Sequence, residues 1–212
     1  MVDNIIKVIV IILGAVVMWT SSIGIIQIDN DYDIHITTSD KIILLVKYLL
    51  SVALILSRGV DNYILAIILV SALLSMALTD RKTKLIYTMI PLVIIIIEAV
   101  VLIYKGRIIS LDKTSIVILG LFVALLLVLN ITGGMGMGDT FIYIAIMLYF
   151  WIVTDFAMLM TVTTFLLSQV IMTITSLLKV ISGSNIRTIF KETQPLVPSI
   201  AKATLITIIF IG

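Results

Sequence analysis

The sequence contains no cysteine. Disulfides, thiolate zinc sites and iron–sulfur clusters are excluded with it. Its single histidine, His35, cannot assemble a metal site alone. Charge is also scarce, at 12% of residues against about 25% in ordinary soluble domains. The net charge of +2 is too small to draw the chain to nucleic acid. Only three prolines occur in 212 residues, so little interrupts long helices.

Apolar sequence fills the remainder. Hydrophobic residues make up 61% of the chain, in runs of roughly 17 to 25 residues, the length that crosses a bilayer. The expected fold class is all-α: a polytopic integral membrane helical bundle of about eight transmembrane helices. The expected spans are Asn4–Ile28, Lys41–Ser57, Asn62–Thr79, Leu85–Tyr104, Thr114–Ile131, Thr140–Val153, Phe156–Ile181 and Val197–Gly212. The first is too long for a signal-peptide core and reads as retained. The sixth is short, which suggests a tilted or partly embedded helix. Pro91 falls in the first turns of the fourth span, and Pro195 and Pro198 flank the start of the eighth. Early helix positions suit proline because their N–H groups lack partners anyway.

The connections carry the charge. Arg81, Lys82 and Lys84 share one side by parity with the glycine-rich segment 130–139 and with Lys179, Arg187 and Lys191. Lys7, Arg58, Lys105, Arg107 and Lys113 fall on the other. The positive-inside bias makes the first set cytoplasmic. The acidic loop from Asp29 to Asp40 then also lies inside. As a calcium loop it fails, because Ile34 stands where glycine is needed and Asp40 where glutamate is needed. It reads as a solvated loop.

Two carboxylates stand out. Asp80 closes the third span and Asp139 opens the sixth. Two crossings separate them, so both emerge at the same membrane face. Carboxylates placed against hydrocarbon are costly and tend to be functional. Asp139 follows Gly133-Gly134-Met135-Gly136-Met137-Gly138, a backbone that can take positive φ and admit another chain closely. The simpler reading of the same residues is a flexible loop ending in an Asp N-cap. Asp80 by itself reads as a charged stop at a helix end. Together, two carboxylates share a proton and titrate as a pair. One can then act as base on a water and the other as acid toward a carbonyl oxygen.

At these residues the chain resembles the type IV prepilin peptidases and archaeal preflagellin peptidases. Gly136-Met137-Gly138-Asp139 is a GxGD motif, and Asp80-Arg81-Lys82-Thr83-Lys84-Leu85-Ile86 followed by Pro91 is similar to that family's first-aspartate segment. Gln194-Pro195-Leu196-Val197-Pro198 is similar to its proline pair opening a late helix. The resemblance covers about residues 58–212, as a six-helix core, with 1–57 as two additional N-terminal helices. It implies an aspartic endopeptidase in a prokaryotic plasma membrane, with its active site on the cytoplasmic face. Such an enzyme removes the short basic leader of pilin-like or archaellin precursors. The catalytic pair is then Asp80 and Asp139, with Gly136, Met137 and Gly138 shaping substrate approach. Lys84, Pro195, Pro198 and Glu98 are candidate supporting residues. No cofactor or metal is implied. The four-cysteine zinc loop of some bacterial members is not matched, and nothing supports their second, N-methylating activity. Thr79 before Asp80 differs from the Tyr-Asp pair of the presenilin branch.

Two other readings stand beside this one: an ion-coupled transporter or other non-enzymatic bundle, and a GxGD protease cutting within transmembrane segments. Glu98, deep in the fourth span, is the residue a transporter would use. Its simpler reading is a hydrogen bond to a neighbouring helix. Lys47 and Lys202 read as snorkelling side chains, and the methionines as packing. The lipid bilayer is the other expected partner. The sequence does not speak to oligomeric state.

Overall fold

The computed structural model describes residues 2–24, 36–60, 62–83, 88–106, 113–182 and 195–211. Lys84, His35, Arg107, Arg187, Lys191, Gln194 and the acidic loop as far as residue 35 lie outside the described residues. The apolar runs form eight α-helices: α1 Val2–Trp19, α2 Thr38–Ser57, α3 Tyr63–Thr83, α4 Met89–Tyr104, α5 Lys113–Ile131, α6 Met137–Val153, α7 Ala157–Ile181 and α8 Val197–Ile211. No strand occurs among the described residues. Three helical segments, Ile5–Ser22, Tyr63–Thr83 and Ala157–Ile181, are long and apolar enough to cross a membrane.

Several helix ends differ from the expected ones, each for a local reason. α1 gives way at Thr20 to a π-helical turn, Thr20–Gly24. There the hydroxyls of Thr20, Ser21 and Ser22 donate back to the carbonyls of Val16, Val17 and Met18, a competition that distorts α-helix. α2 begins with a capping box: Thr37 Oγ1 accepts from the Asp40 N–H, and Asp40 Oδ2 accepts from the Thr37 N–H. α3 runs on past Asp80 to Thr83, so Asp80 lies within the last turn of the helix.

The polarity pattern is inverted relative to a water-soluble bundle. Ile96, Ile103, Leu121 and Leu166 are each more than half exposed. Ser71, Ser75, Thr79, Thr161, Thr164, Ser168, Thr204 and Thr207 are buried. Most of these hydroxyls satisfy themselves on the preceding turn, as Ser71 does on Ile67 and Thr161 on Ala157. Some also bridge helices: Thr164 donates to Thr207 at 3.0 Å and Ser21 to Ser75 at 2.8 Å. Small and hydroxylated side chains at contacts let backbones approach closely, as they do between helices in lipid.

α6 is the centre. It packs on α3, α4, α5 and α7, and Tyr143, Ile146, Tyr149 and Phe150 are fully enclosed. α3 is the second hub, contacting α1, α2, α4, α6 and α8. The N-terminal pair α1 and α2 therefore joins the same continuous core as the rest. α1 meets that core at Gly14, where an added Cβ would lie 2.9 Å from both Ile67 Cγ2 and Ser71 Oγ.

Contacts between helix ends set α2, α3 and α4 antiparallel in turn. Lys82 pairs with Asp40 at 2.6 Å, joining the end of α3 to the start of α2. At the opposite end, Lys105 donates to Asn62 at 2.6 Å and Lys7 sits over the Tyr63 ring.

Candidate functional site

Asp80 and Asp139 lie at the same end of the bundle, on two helices that pack together. Both are buried, at 5% and 8% exposure, although they lie on different helices 59 residues apart in sequence. Their carboxyl groups are within electrostatic reach of each other. A buried carboxylate requires compensating donors, and backbone amides provide one to each.

For Asp80 the donor is the N–H of Val197, 3.1 Å from Oδ2. The sequence at the start of α8 explains it. Leu196 O accepts from Ser199 N and Ile200 N, which places Val197 and Pro198 in the first turn. Pro198 has no N–H, so Val197 offers the helix's leading free donor. The positive end of the α8 dipole therefore points at a carboxylate.

For Asp139 the donor is the N–H of Gly136, 3.2 Å from Oδ2. The other oxygen, Oδ1, is buried and accepts no hydrogen bond from the described residues. Asp139 stands in the third position of α6, with Gly136 as the cap in extended conformation. It thus serves from inside the first turn rather than as the N-cap. A Cβ on Gly136 would lie 3.2 Å from Asp139 Oδ2, so glycine lets the carboxylate fold back onto the backbone.

The glycine-rich connection is ordered by its own hydrogen bonds. Gly133 N donates to Asn130 O at 3.1 Å and Gly134 N to Leu129 O at 2.9 Å. Gly133 takes φ +73°. Together these form a complete Schellman closure of α5. Asn130 Nδ2 donates onward to Met135 O. Among the proposed approach residues, Met137 is exposed and Gly138 is buried.

Pro195 and Pro198 border a cavity together with Arg81 and Lys202, and neither Asp80 nor Asp139 lines it. Glu98 is not part of this cluster. It is buried between α4 and α6, within electrostatic reach of Tyr149. Tyr149 lies ten residues beyond Asp139, about 15 Å along α6. Neither Glu98 oxygen has a hydrogen-bond partner among the described residues. The hydrogen bond to a neighbouring helix expected for it is therefore not made there. Glu98 shares the buried face of α4 with Pro91, Ile94 and Leu102.

Two contributors were not foreseen. The Val197 amide is a backbone group, and its only sequence signal was the proline after it. Tyr143, one turn beyond Asp139 on the same face of α6, is within electrostatic reach of Asp139 and hydrogen-bonds to Ser168 of α7. The i, i+4 spacing from Asp139 was that signal. Outside the apolar spans, Asp40 is held at a pKa of about 2, chiefly by its hydrogen bond with Lys82. Among the described residues no cluster of three or more potential metal ligands occurs. Comparison with protein-family profiles, curated proteins and solved structures finds no match.

Proposed function

We propose that this chain is a polytopic integral membrane aspartyl endopeptidase of the prepilin or preflagellin type. It removes the basic leader from pilin-like or archaellin precursors at the cytoplasmic face of a prokaryotic plasma membrane. The observation that carries the reading is the burial of Asp80 and Asp139 within electrostatic reach of each other at one end of the bundle. The membrane setting rests on the outward apolar surface and the inward hydroxyls. The orientation rests on Arg81, Lys82 and Lys179 gathering at the same end.

The chemistry follows from two carboxyl groups sharing one proton. The ionised group takes a proton from water as the water oxygen adds to the scissile carbonyl carbon. The protonated group gives its proton to the carbonyl oxygen. Collapse of the tetrahedral diol breaks the C–N bond: the leaving amine takes the proton held by one carboxyl group while the other carboxylate takes the proton of a diol hydroxyl, which leaves the pair with one proton again. Asp139 Oδ1, which accepts no hydrogen bond from the described residues, is the atom suited to act on water. The Val197 and Gly136 amides orient the two groups. A leader that ends at the membrane surface presents its scissile bond at this level.

A second reading, an ion-coupled transporter, is favoured by one observation: the buried, unbonded carboxylate of Glu98. The discriminating experiment is processing of a precursor by the purified chain, with product N-termini mapped and the rate followed against pH. A cut between leader and apolar segment with a bell-shaped profile supports the peptidase. Cuts inside the apolar segment assign it to intramembrane proteolysis. Ion flux in proteoliposomes without any cleavage assigns it to transport.

A further inference from the structure

At the end of the bundle that carries Asp80, α2, α3, α7 and α8 line a cavity of about 430 Å³. Each helix contributes one cation to its lining: Lys47, Arg81, Lys179 and Lys202. Lys47 is within electrostatic reach of both Arg81 and Lys202. None of these three has an ion-pair partner among the described residues. The one carboxylate of the lining, Asp40, is already engaged by Lys82 at 2.6 Å. Like charges gathered this way repel one another unless an anion joins them.

The depth of these residues identifies the anion. Lys47 lies seven residues past Asp40 on α2, about 10 Å further along the helix. Lys202 lies five residues past Val197 on α8, about 8 Å further along. Both are set in the apolar body of the bundle yet line the same cavity as Asp40 and Arg81 at its charged end. The other wall is apolar, formed by Leu74, Leu78 and Met172. A site with cations above and hydrocarbon beside them fits an amphiphile that carries a phosphate between head and tail. We propose that this cavity binds the phosphate headgroup of an anionic phospholipid, with its acyl chains along the apolar wall. Basic pockets between membrane helices take up acidic headgroups in this manner. The proposal holds whether or not the chain is a peptidase.

The test uses the full chain in nanodiscs of equal phosphatidylglycerol and phosphatidylcholine, with retained lipid counted by native mass spectrometry. The wild-type chain retains phosphatidylglycerol preferentially. K47Q and K202Q each reduce that preference roughly five-fold. The charge-conserving K47R/K202R variant keeps it, and R58Q at the opposite end of the bundle leaves it unchanged. Equal preference in wild type, K47Q and K202Q overturns the proposal. So does displacement of the retained lipid by millimolar inorganic phosphate, which assigns the cavity to free phosphate instead.

Discussion

The backbone amide of Val197 donates a hydrogen bond to Asp80, a residue 117 positions earlier in the chain. Through this bond the start of α8 holds one of the two buried carboxylates in place. Hydrogen bonds to charged groups contribute about 1.5–3 kcal/mol, so removing this donor has a measurable effect. Val197→Pro deletes the N–H at a helix position that tolerates proline. Precursor processing by V197P is expected to fall roughly ten-fold or more, with membrane insertion retained. Unchanged processing would show that the amide does not orient Asp80.

Gly133 sits at φ +73°, where it closes α5 and aims the chain toward Asp139. A left-handed residue with a side chain costs about 1–2 kcal/mol. Gly133→Ala is expected to lower thermal stability by that amount, and Gly133→Asn by less, because asparagine tolerates this region. A thermal-shift assay in detergent measures both.

At Gly14, α1 lies tightly against Ile67 and Ser71 of α3, with Tyr48 of α2 also against it. Tyr48 donates to the Ile11 carbonyl beside it. Overpacking at such a contact costs about 1–3 kcal/mol. Gly14→Val is expected to loosen α1, seen as faster proteolysis within 1–24. The carboxylate pair lies on α3 and α6, so processing is expected to survive. Loss of both together would show that α1 supports the site directly.

Much of this arrangement is legible in the sequence. Helical spans follow from unbroken apolar runs, and the parity of crossings placed Asp80 and Asp139 at one end. The rest depended on contacts that side-chain patterns do not encode. The Val197 amide carries no side-chain signal. The glycine segment looks flexible by composition, yet its Schellman bonds depend on the carbonyls of Leu129 and Asn130. α6 is uncharged apart from Asp139, so nothing in its composition says that it is central. The convergence of Lys47 and Lys202 was hidden because a lysine in an apolar helix reads the same whether it faces lipid or a neighbouring cation.

The Asp40–Lys82 pair has a defined pH window. The hydrogen bond from Lys82, helped by those from Thr37 and working against partial burial, places the Asp40 pKa at about 2, below its ordinary 3.8. The pair's stabilisation is therefore present above about pH 4 and is lost as pH falls toward 2. Partly exposed pairs contribute less than about 1 kcal/mol, so the effect is small. Asp40→Asn is expected to remove this part of the acid sensitivity while leaving stability at pH 7 within that limit. Thermal melts of both proteins between pH 2 and pH 7 measure the difference.

The most direct measurement is cleavage of a coexpressed prepilin or archaellin precursor by D80N and D139N, each compared with wild type at matched membrane levels. Asparagine keeps the shape of each side chain but can neither donate an acid proton nor accept one from water. If Asp80 and Asp139 act as one catalytic pair, each single variant abolishes processing, and the double variant is no worse than either. Full processing by either single variant would contradict that assignment.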